Sequence, residues 1–128
     1  MAATPQAASS SVQQLATETL QRYYTLLDTN REGLNTLYQP TSIMTMEGKE
    51  FVGAAILAQL KGLPQMKHTP KHFSIQPSPG PNCFHAMVIG EVQVAGATAS
   101  TLFAEVFHLV PNGTNFYVAN QFFRTKIA

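Results

Sequence analysis

Tryptophan is missing from this 128-residue chain, and cysteine occurs once, at Cys83. A single cysteine leaves no intramolecular disulfide, which favours a reducing compartment. Because Cys83 adjoins Phe84 in an apolar run, we interpret it as a small buried hydrophobe rather than a reactive thiol. Charged residues make up only 12% of the chain, and the net charge is +1. With no run of like charges, the sequence argues against direct binding to nucleic acid or to an anionic membrane.

Long hydrophobic segments are also missing. No apolar run approaches the roughly 20 residues that span a membrane. The N-terminal stretch MAATPQAASSS has neither the basic nor the hydrophobic segment of a targeting peptide. We interpret residues 1–10 as a disordered tail because they are mainly alanine, serine, threonine and proline. Residues 11–128 are predicted to form one domain, long enough to bury roughly two-thirds of its unfolded surface.

Three helices are predicted in the first half of the chain. The first begins at a capping serine, Ser10 or Ser11, and its apolar residues recur at steps of three and four until DTN ends it at residues 28–30. A short helix is predicted over about residues 31–37. The third covers GAAILAQLKGL and is ended by a glycine and a proline.

Strands are predicted mainly in the second half. SIMTM and KEFVG form a hairpin around Glu47-Gly48. QMKHTPKH is predicted to be irregular because Pro70 cannot lie in a central strand, and residues 71–76 are a further candidate strand. Three longer runs, rich in valine, phenylalanine and threonine, cover residues 83–94, 100–110 and 116–126. With turns at Gly96 and Asn112-Gly113, they form an antiparallel meander. Helices followed by strands predict an α+β fold, with a bent sheet wrapped around the helices.

Aromatic residues occur at both alternations of the last strand. One alternation contains Phe116, Val118, Asn120, Phe122 and Arg124, and the other contains Tyr117, Ala119, Gln121, Phe123 and Thr125. A sheet with one solvated face has apolar residues on one side only. The pattern therefore predicts that both faces are covered, one by the helices and the other by a second copy of the chain, since two-fold dimers are the commonest oligomers.

Catalytic and metal-binding motifs are not recognised. Pro70 separates His68 from His72, and no acid or cysteine lies at a zinc-ligand spacing, so no metal site is predicted. His85 and His108 are interpreted as partly buried structural residues of strands. Most acids are interpreted as surface residues. Glu47 is the exception, because a carboxylate in a tight turn stands at a rim.

Six segments carry a resemblance to a known family: RYYTLLDTNREGLNTLY, MTMEGKEFVG, LKGLP, VIGEVQ, EVFHLVPNG and FYVANQFFR. In this order and near this spacing, they resemble the nuclear transport factor 2 family. The resemblance implies a cone-shaped, bent antiparallel sheet around N-terminal helices, and a homodimer joined through the sheet. It also implies a non-enzymatic, cofactor-free adaptor that binds Ran-GDP and FG-repeat nucleoporins and acts in the cytoplasm, the nucleus and the pores of the nuclear envelope.

The resemblance also assigns residues. An apolar cavity with an acidic rim is expected to receive an aromatic side chain of Ran, and its predicted residues are Met46, Glu47, Leu63, Met66, His68, Val92, Val94 and Phe123. The residues predicted for the dimer sheet are Met87, Phe107, Tyr117 and Gln121.

Several departures from the family pattern weaken the expected contact with Ran. The loop VAGATAST has none of the acids that usually complete the Ran contact, the segment from Pro64 to Gln76 is short, and Gln121 replaces an acid. The short segment resembles a small subunit that pairs with an mRNA-export receptor, which makes a heterodimer the second hypothesis. The third is a small-molecule isomerase or dehydratase on the same fold, which needs an acid or a His–Asp pair in the cavity.

Overall fold

Helices occupy the first part of the chain and long strands the last. The computed structural model describes the backbone of residues 3–125 and the side chains of residues 11–125. The elements are α1 (Ala3–Thr29), a 3-10 helix η1 (Arg31–Leu37), β1 (Tyr38–Met46), β2 (Lys49–Val52), α2 (Ala54–Lys61), β3 (Met66–Pro77), β4 (Phe84–Val94), β5 (Thr101–Asn112) and β6 (Asn115–Thr125). The predicted α+β class is confirmed.

The first helix is longer than predicted, since α1 begins at Ala3, before the expected serine cap. The side chains of residues 1–10 lie outside the described part of the chain, so the disordered tail stays a prediction. The described helices include none with both the length and the hydropathy of a membrane span.

The six strands form one sheet in the order β2-β1-β6-β5-β4-β3. All neighbouring pairs are antiparallel except β1 and β6, which run parallel. This corrects the expectation of a wholly antiparallel sheet. The two strands come from opposite ends of the domain, so no hairpin dictates their relative direction, and the sheet is mixed.

The segment predicted to be irregular is a strand. β3 covers Met66–Pro77 and pairs only with β4, at the edge of the sheet. Pro70 has no N–H to donate, and an edge position with a register shift between Pro70 and His72 accommodates it. The prediction of irregular structure was wrong because an edge strand tolerates a proline that a central strand does not.

A bulge in β6 changes which residues face the helices. His108 pairs with Asn120 but Leu109 pairs with Val118, which leaves Ala119 as an extra residue. Side chains alternate strictly only while the register is unbroken, so the extra residue reverses the alternation. Before the bulge Phe116 and Val118 are buried, and after it Gln121 is buried.

Two faces of the sheet can now be defined. The inner face packs against α1 and carries the buried residues Val88, Phe103, Glu105, Phe107, Leu109 and Gln121. The outer face carries the alternate side chains, including Met87, Leu102, Val106, Tyr117 and Phe122. Phe107 and Gln121 are 0% and 1% exposed. Their predicted place on an outer, dimer-forming face was therefore wrong: Phe107 shares the alternation of Phe103, and the bulge turns Gln121 inward.

Aromatic packing joins α1 to the inner face. The ring of Tyr23 meets Phe107 edge-on at 5.3 Å, and Tyr24 lies 5.7 Å from Phe103. Strands β3 and β4 approach each other closely at Gly90, where an added Cβ would lie 2.4 Å from the carbonyl oxygen of Thr69. A glycine is therefore required at this point between β3 and β4.

Candidate functional site

An apolar cavity opens between the inner face and the helices. Its volume is about 300 Å³. The structure places all eight residues predicted for partner binding around it: Met46, Glu47, Leu63, Met66, His68, Val92, Val94 and Phe123. Further walls come from residues that the sequence did not identify, namely Tyr23, Leu27, Leu60, Pro64, Thr101, Glu105 and Thr125. Helical periodicity could have identified Leu27 and Leu60, since they lie on the apolar faces of their helices.

One arginine holds the helical lip of the cavity. The guanidinium of Arg31 donates from Nε to the Leu27 carbonyl at 3.0 Å, and from its terminal nitrogens to the carbonyls of Leu60, Leu63 and Pro64. These carbonyls lie at the ends of α1 and α2 or follow α2, where the regular helical hydrogen bonds run out. Arg31 thus fixes the segment that presents Leu63 and Pro64 to the cavity.

The acidic rim is built by the β1–β2 turn. Glu47 and Gly48 both adopt left-handed conformations, with φ of 50° and 85°, as a two-residue hairpin turn requires. The Glu47 N–H donates to the carbonyl of Phe123 at 3.1 Å. Its Oε2 accepts hydrogen bonds from the N–H and the hydroxyl of Thr125, at 2.9 and 2.6 Å. The carboxylate is therefore held in one place at the mouth and stays 42% exposed.

Beneath the cavity floor lies a polar network centred on Glu105. Tyr24 donates to its Oε1 at 2.7 Å, and Gln121 Nε2 donates to its Oε2 at 2.5 Å and to the Tyr23 hydroxyl at 2.9 Å. Tyr38 donates to Gln121 Oε1 at 2.6 Å. Burial raises the pKa of Glu105 to about 7, although the donors oppose that shift. The interpretation of the acids as surface residues was wrong for Glu105, which alternates with phenylalanines on an inward-facing run of β5.

A second polar contact ties β3 to the end of α1. The ring Nδ1 and the backbone N–H of His68 each lie 2.7 Å from the Asp28 carboxylate, which accepts both hydrogen bonds. The ring packs between Tyr24 and Phe103. Burial lowers the pKa of His68, and Asp28 opposes this. Among residues 3–125, no group of three or more histidine, cysteine, aspartate or glutamate side chains is arranged to hold a metal ion.

The chemistry of the cavity suits reception of an apolar group. Its walls are mostly aliphatic, methionine and phenylalanine side chains. The acid and the histidine that line it, Glu105 and His68, are 1% and 7% exposed and engaged with neighbouring groups. A cavity of roughly 150 Å³ is enough to admit benzene, so this one has room for an aromatic side chain. The one carboxylate at the mouth adds a place for a cation beside that ring.

The outer face, by contrast, exposes apolar side chains. Met87 and Tyr117, both predicted for the dimer sheet, lie here, and Met87 is 41% exposed. Leu102, Val106 and Phe122 were not assigned to this face, and they are 44%, 39% and 56% exposed. The alternation of buried and exposed residues along β5 could have assigned Leu102 and Val106 to this face. In β6 the bulge at Ala119 breaks the alternation and hid the position of Phe122.

Comparison with known proteins agrees with this architecture. Residues 15–125 match the model of the Nuclear transport factor 2 (NTF2) domain. Nuclear transport factor 2B of Arabidopsis thaliana is 39% identical over 113 residues, which cover 85% of this chain and 90% of that protein. Nuclear transport factor 2 of Oryza sativa subsp. japonica is 38% identical over 82% of this chain and 88% of that protein.

A solved structure is similar over the same region. Nuclear transport factor 2 from Cryptosporidium parvum superposes with a TM-score of 0.83 at 31% identity, covering 89% of this chain and 94% of that one. The domain match spans most of the chain, and these relatives are matched over most of their length. This chain therefore belongs to the nuclear transport factor 2 domain family.

Proposed function

We propose that this protein is a nucleocytoplasmic transport adaptor that binds Ran-GDP and carries Ran into the nucleus. The observation that carries the proposal is the apolar cavity with Glu47 fixed at its mouth. An aromatic side chain of Ran enters the cavity, and a lysine or arginine of Ran pairs with the carboxylate. Full burial of one such ring contributes roughly 1.5 to 3 kcal/mol.

The fixed position of Glu47 favours this role over that of an ordinary surface acid. Thr125 already holds one carboxylate oxygen, so little rotamer freedom is lost when a partner cation approaches the other. Arg124 lies 3.9 Å from Glu47 Oε1 and is 61% exposed. That contact is weak in water, and the arginine can turn aside when a partner binds.

The outer face supports the homodimer of the proposal. Two copies associate through the exposed apolar side chains around Met87, Val106 and Phe122, which leaves both cavities open because each lies on the opposite side of its sheet. FG-repeat nucleoporins bind elsewhere on this dimer. We accordingly place the protein in the cytoplasm, in the nucleus and at the pores of the nuclear envelope.

Binding rather than catalysis is the proposed role of the cavity. Glu105 and the His68–Asp28 pair are the groups at the cavity that could move a proton. Glu105 is 1% exposed, and both of its carboxylate oxygens already accept hydrogen bonds from Tyr24 and Gln121. These hydrogen bonds, and those of His68 to Asp28, support a structural function for both groups.

The direct test is Glu47→Lys, with Glu50→Lys as its matched control. Glu50→Lys makes the same change of charge on strand β2. Glu50 pairs with Thr45, and Thr45 pairs with the outer-face residue Phe122, so Glu50 lies on the face opposite the cavity. We expect Glu47→Lys to abolish binding to immobilised Ran-GDP, while Glu50→Lys and the wild type bind. Ran-GTP should bind neither variant nor the wild type. Equal failure of wild-type protein with both nucleotide forms would reject the proposal.

The dimer is tested separately by sedimentation. The wild type purified alone is expected to be a soluble homodimer, and Phe122→Glu is expected to be monomeric because it places a charge in the apolar contact. Phe122→Glu should still bind Ran-GDP, since its side chain is on the face opposite the cavity. An insoluble or monomeric wild type would instead favour the heterodimer with an mRNA-export receptor.

A further inference from the structure

Two histidines meet on the outer face of the sheet. His85 of β4 and His108 of β5 are directly opposite one another in the antiparallel register. Their ring centroids are 5.3 Å apart, and the ring planes are inclined by 35°. The two histidines are too far apart in the sequence to form a recognisable metal-ligand motif, so only the pairing of the strands brings them together.

One buried nitrogen of this pair has no partner. The Nε2 atom of His108 is enclosed and makes no hydrogen bond with the described residues. A buried polar atom left unpaired usually costs about 1 to 3 kcal/mol, so a native structure generally supplies a reason for one. In a neutral imidazole, one nitrogen carries a lone pair and is available to a proton, a donor or a metal ion.

The distance between the rings matches shared coordination of one ion. A metal bound by imidazole lies about 2.0–2.1 Å from the nitrogen and therefore roughly 3.2 Å from the ring centre, so two rings on one tetrahedral ion have centres about 5.2 Å apart. The observed separation is 5.3 Å. We propose that His85 and His108 form a chelating site for a divalent metal ion on the outer face.

The surroundings define the class of metal. Imidazole nitrogens suit zinc, nickel and copper, whereas calcium and magnesium prefer oxygen ligands. The small pocket around the pair is completed by Val106, Phe107, Asn120 and Phe122 and contains no lysine or arginine to repel a cation. Asn120 pairs with His108 on β6 and lines the same pocket, so its amide oxygen is a candidate for a third ligand.

This site is independent of Ran binding, because the pair is on the face of the sheet opposite the cavity. It can be tested whether or not the transport function holds. The remaining coordination positions of the ion are filled by water or by the histidine pair of a second copy.

The experiment is calorimetric titration of ZnCl₂ into the full, metal-stripped chain without a polyhistidine tag. His85→Gln and His108→Gln are each expected to lower the zinc affinity by at least about tenfold, since even outer-shell changes at metal sites cost that much. His72→Gln is the matched control, because His72 is an exposed histidine on β3, and it should bind zinc as the wild type does. A ratio of one ion per chain or one per two chains supports the site, and the second shows that two copies share the ion.

A measurement on the wild type guards against misfolded variants. Zinc is diamagnetic, so the imidazole proton resonances of all four histidines can be followed during the titration. We expect those of His85 and His108 to shift together and saturate together. Zinc binding that leaves both resonances in place, or no binding at millimolar zinc, overturns the proposal.

Discussion

The two faces of the sheet use alternate residues of the same strands for opposite purposes. In β5, Phe103 and Phe107 are fully buried on the inner face, whereas Leu102 and Val106 are 44% and 39% exposed on the outer face. An antiparallel sheet with one solvated side normally carries polar residues there. Both faces of this sheet are apolar, but only the inner one is covered within the chain.

Polar groups differ between the faces in the same way. On the inner face, Glu105, Gln121 and three tyrosines satisfy one another. On the outer face, His108 Nε2 has no partner in the described chain. The Glu105 network on the inner face is therefore satisfied within a single copy, whereas the buried Nε2 atom of His108 on the outer face is left without a partner among the described residues.

The largest difference between the two faces is expected when one phenylalanine on each face is replaced by alanine. Phe107→Ala should lower the free energy of unfolding by about 3 to 5 kcal/mol, because it opens a cavity in the core. Phe122 is 56% exposed, so Phe122→Ala should cost less than about 1 kcal/mol within one chain. Urea unfolding at several protein concentrations separates the two: the loss in Phe107→Ala is independent of concentration, and that in Phe122→Ala depends on it. Equal losses would contradict the comparison.

A pH-dependent effect is expected from the inner network. The Glu105 pKa rises from its ordinary value of 4.5 to about 7 on folding. The folded state then binds more protons at Glu105 than the unfolded state does between these values. The contribution of Glu105 to stability is therefore greatest below pH 4.5, falls as the pH rises and levels off above 7. The fall attributable to Glu105 is about 3 kcal/mol.

Comparison with Glu105→Gln isolates this contribution, because His68 and other groups titrate in both proteins. The variant replaces one carboxylate oxygen with an NH₂ group, so Tyr24 or Gln121 loses its acceptor. This gives a constant loss but no slope. The measurement is the difference in unfolding free energy between wild type and variant from pH 4 to 8. A difference that does not change with pH would show that Glu105 is already ionised in the folded chain.

An intermediate effect is expected at the cavity lip. Arg31→Lys replaces the guanidinium, whose nitrogens donate to four carbonyls, with a single ammonium group. We expect a loss of about 2 kcal/mol in stability. Ran-GDP affinity should fall several-fold because Leu63 and Pro64 lose their support, while the dimer on the other face is unchanged. Lys61→Ala is the control: it removes a surface pair with Glu32, worth less than about 1 kcal/mol. Titration calorimetry measures the affinity for Ran-GDP, and sedimentation measures dimerisation. A loss of dimerisation in Arg31→Lys would contradict the independence of the two faces.

The smallest effect concerns a single hydroxyl on each side. Tyr38→Phe removes the donor to Gln121 Oε1 and should cost about 1 kcal/mol. Tyr117→Phe, on the outer face, should remain within about 0.5 kcal/mol of the wild type. Thermal unfolding of the two variants in parallel checks this ranking, and a larger loss for Tyr117→Phe would reverse the comparison.

Much of the fold could be predicted from local sequence. Helix periodicity, the DTN break and the Glu47-Gly48 turn each act over a few residues, and all three match the structure. The eight cavity residues came from a resemblance, and the structure brings them together. Their contact with Ran stays a prediction.

The errors arose where distant segments meet. Pro70 predicted a break, but edge pairing with β4 keeps the segment extended. The resemblance placed Gln121 in the dimer sheet, but the bulge opposite His108 and Leu109 turns it inward. Glu105 had a signal as an acid between inward phenylalanines, but its tyrosine partners are more than 80 residues away in the chain.

The sequence by itself determined the helices, the turns and the α+β class, because 3.6- and two-residue periodicities and turn chemistry depend on neighbours in the chain. Only the tertiary structure decided the parallel pairing of β1 with β6, the buried carboxyl under the cavity and the meeting of two histidines. These depend on register, since a shift of one residue moves every following side chain to the other face of a sheet.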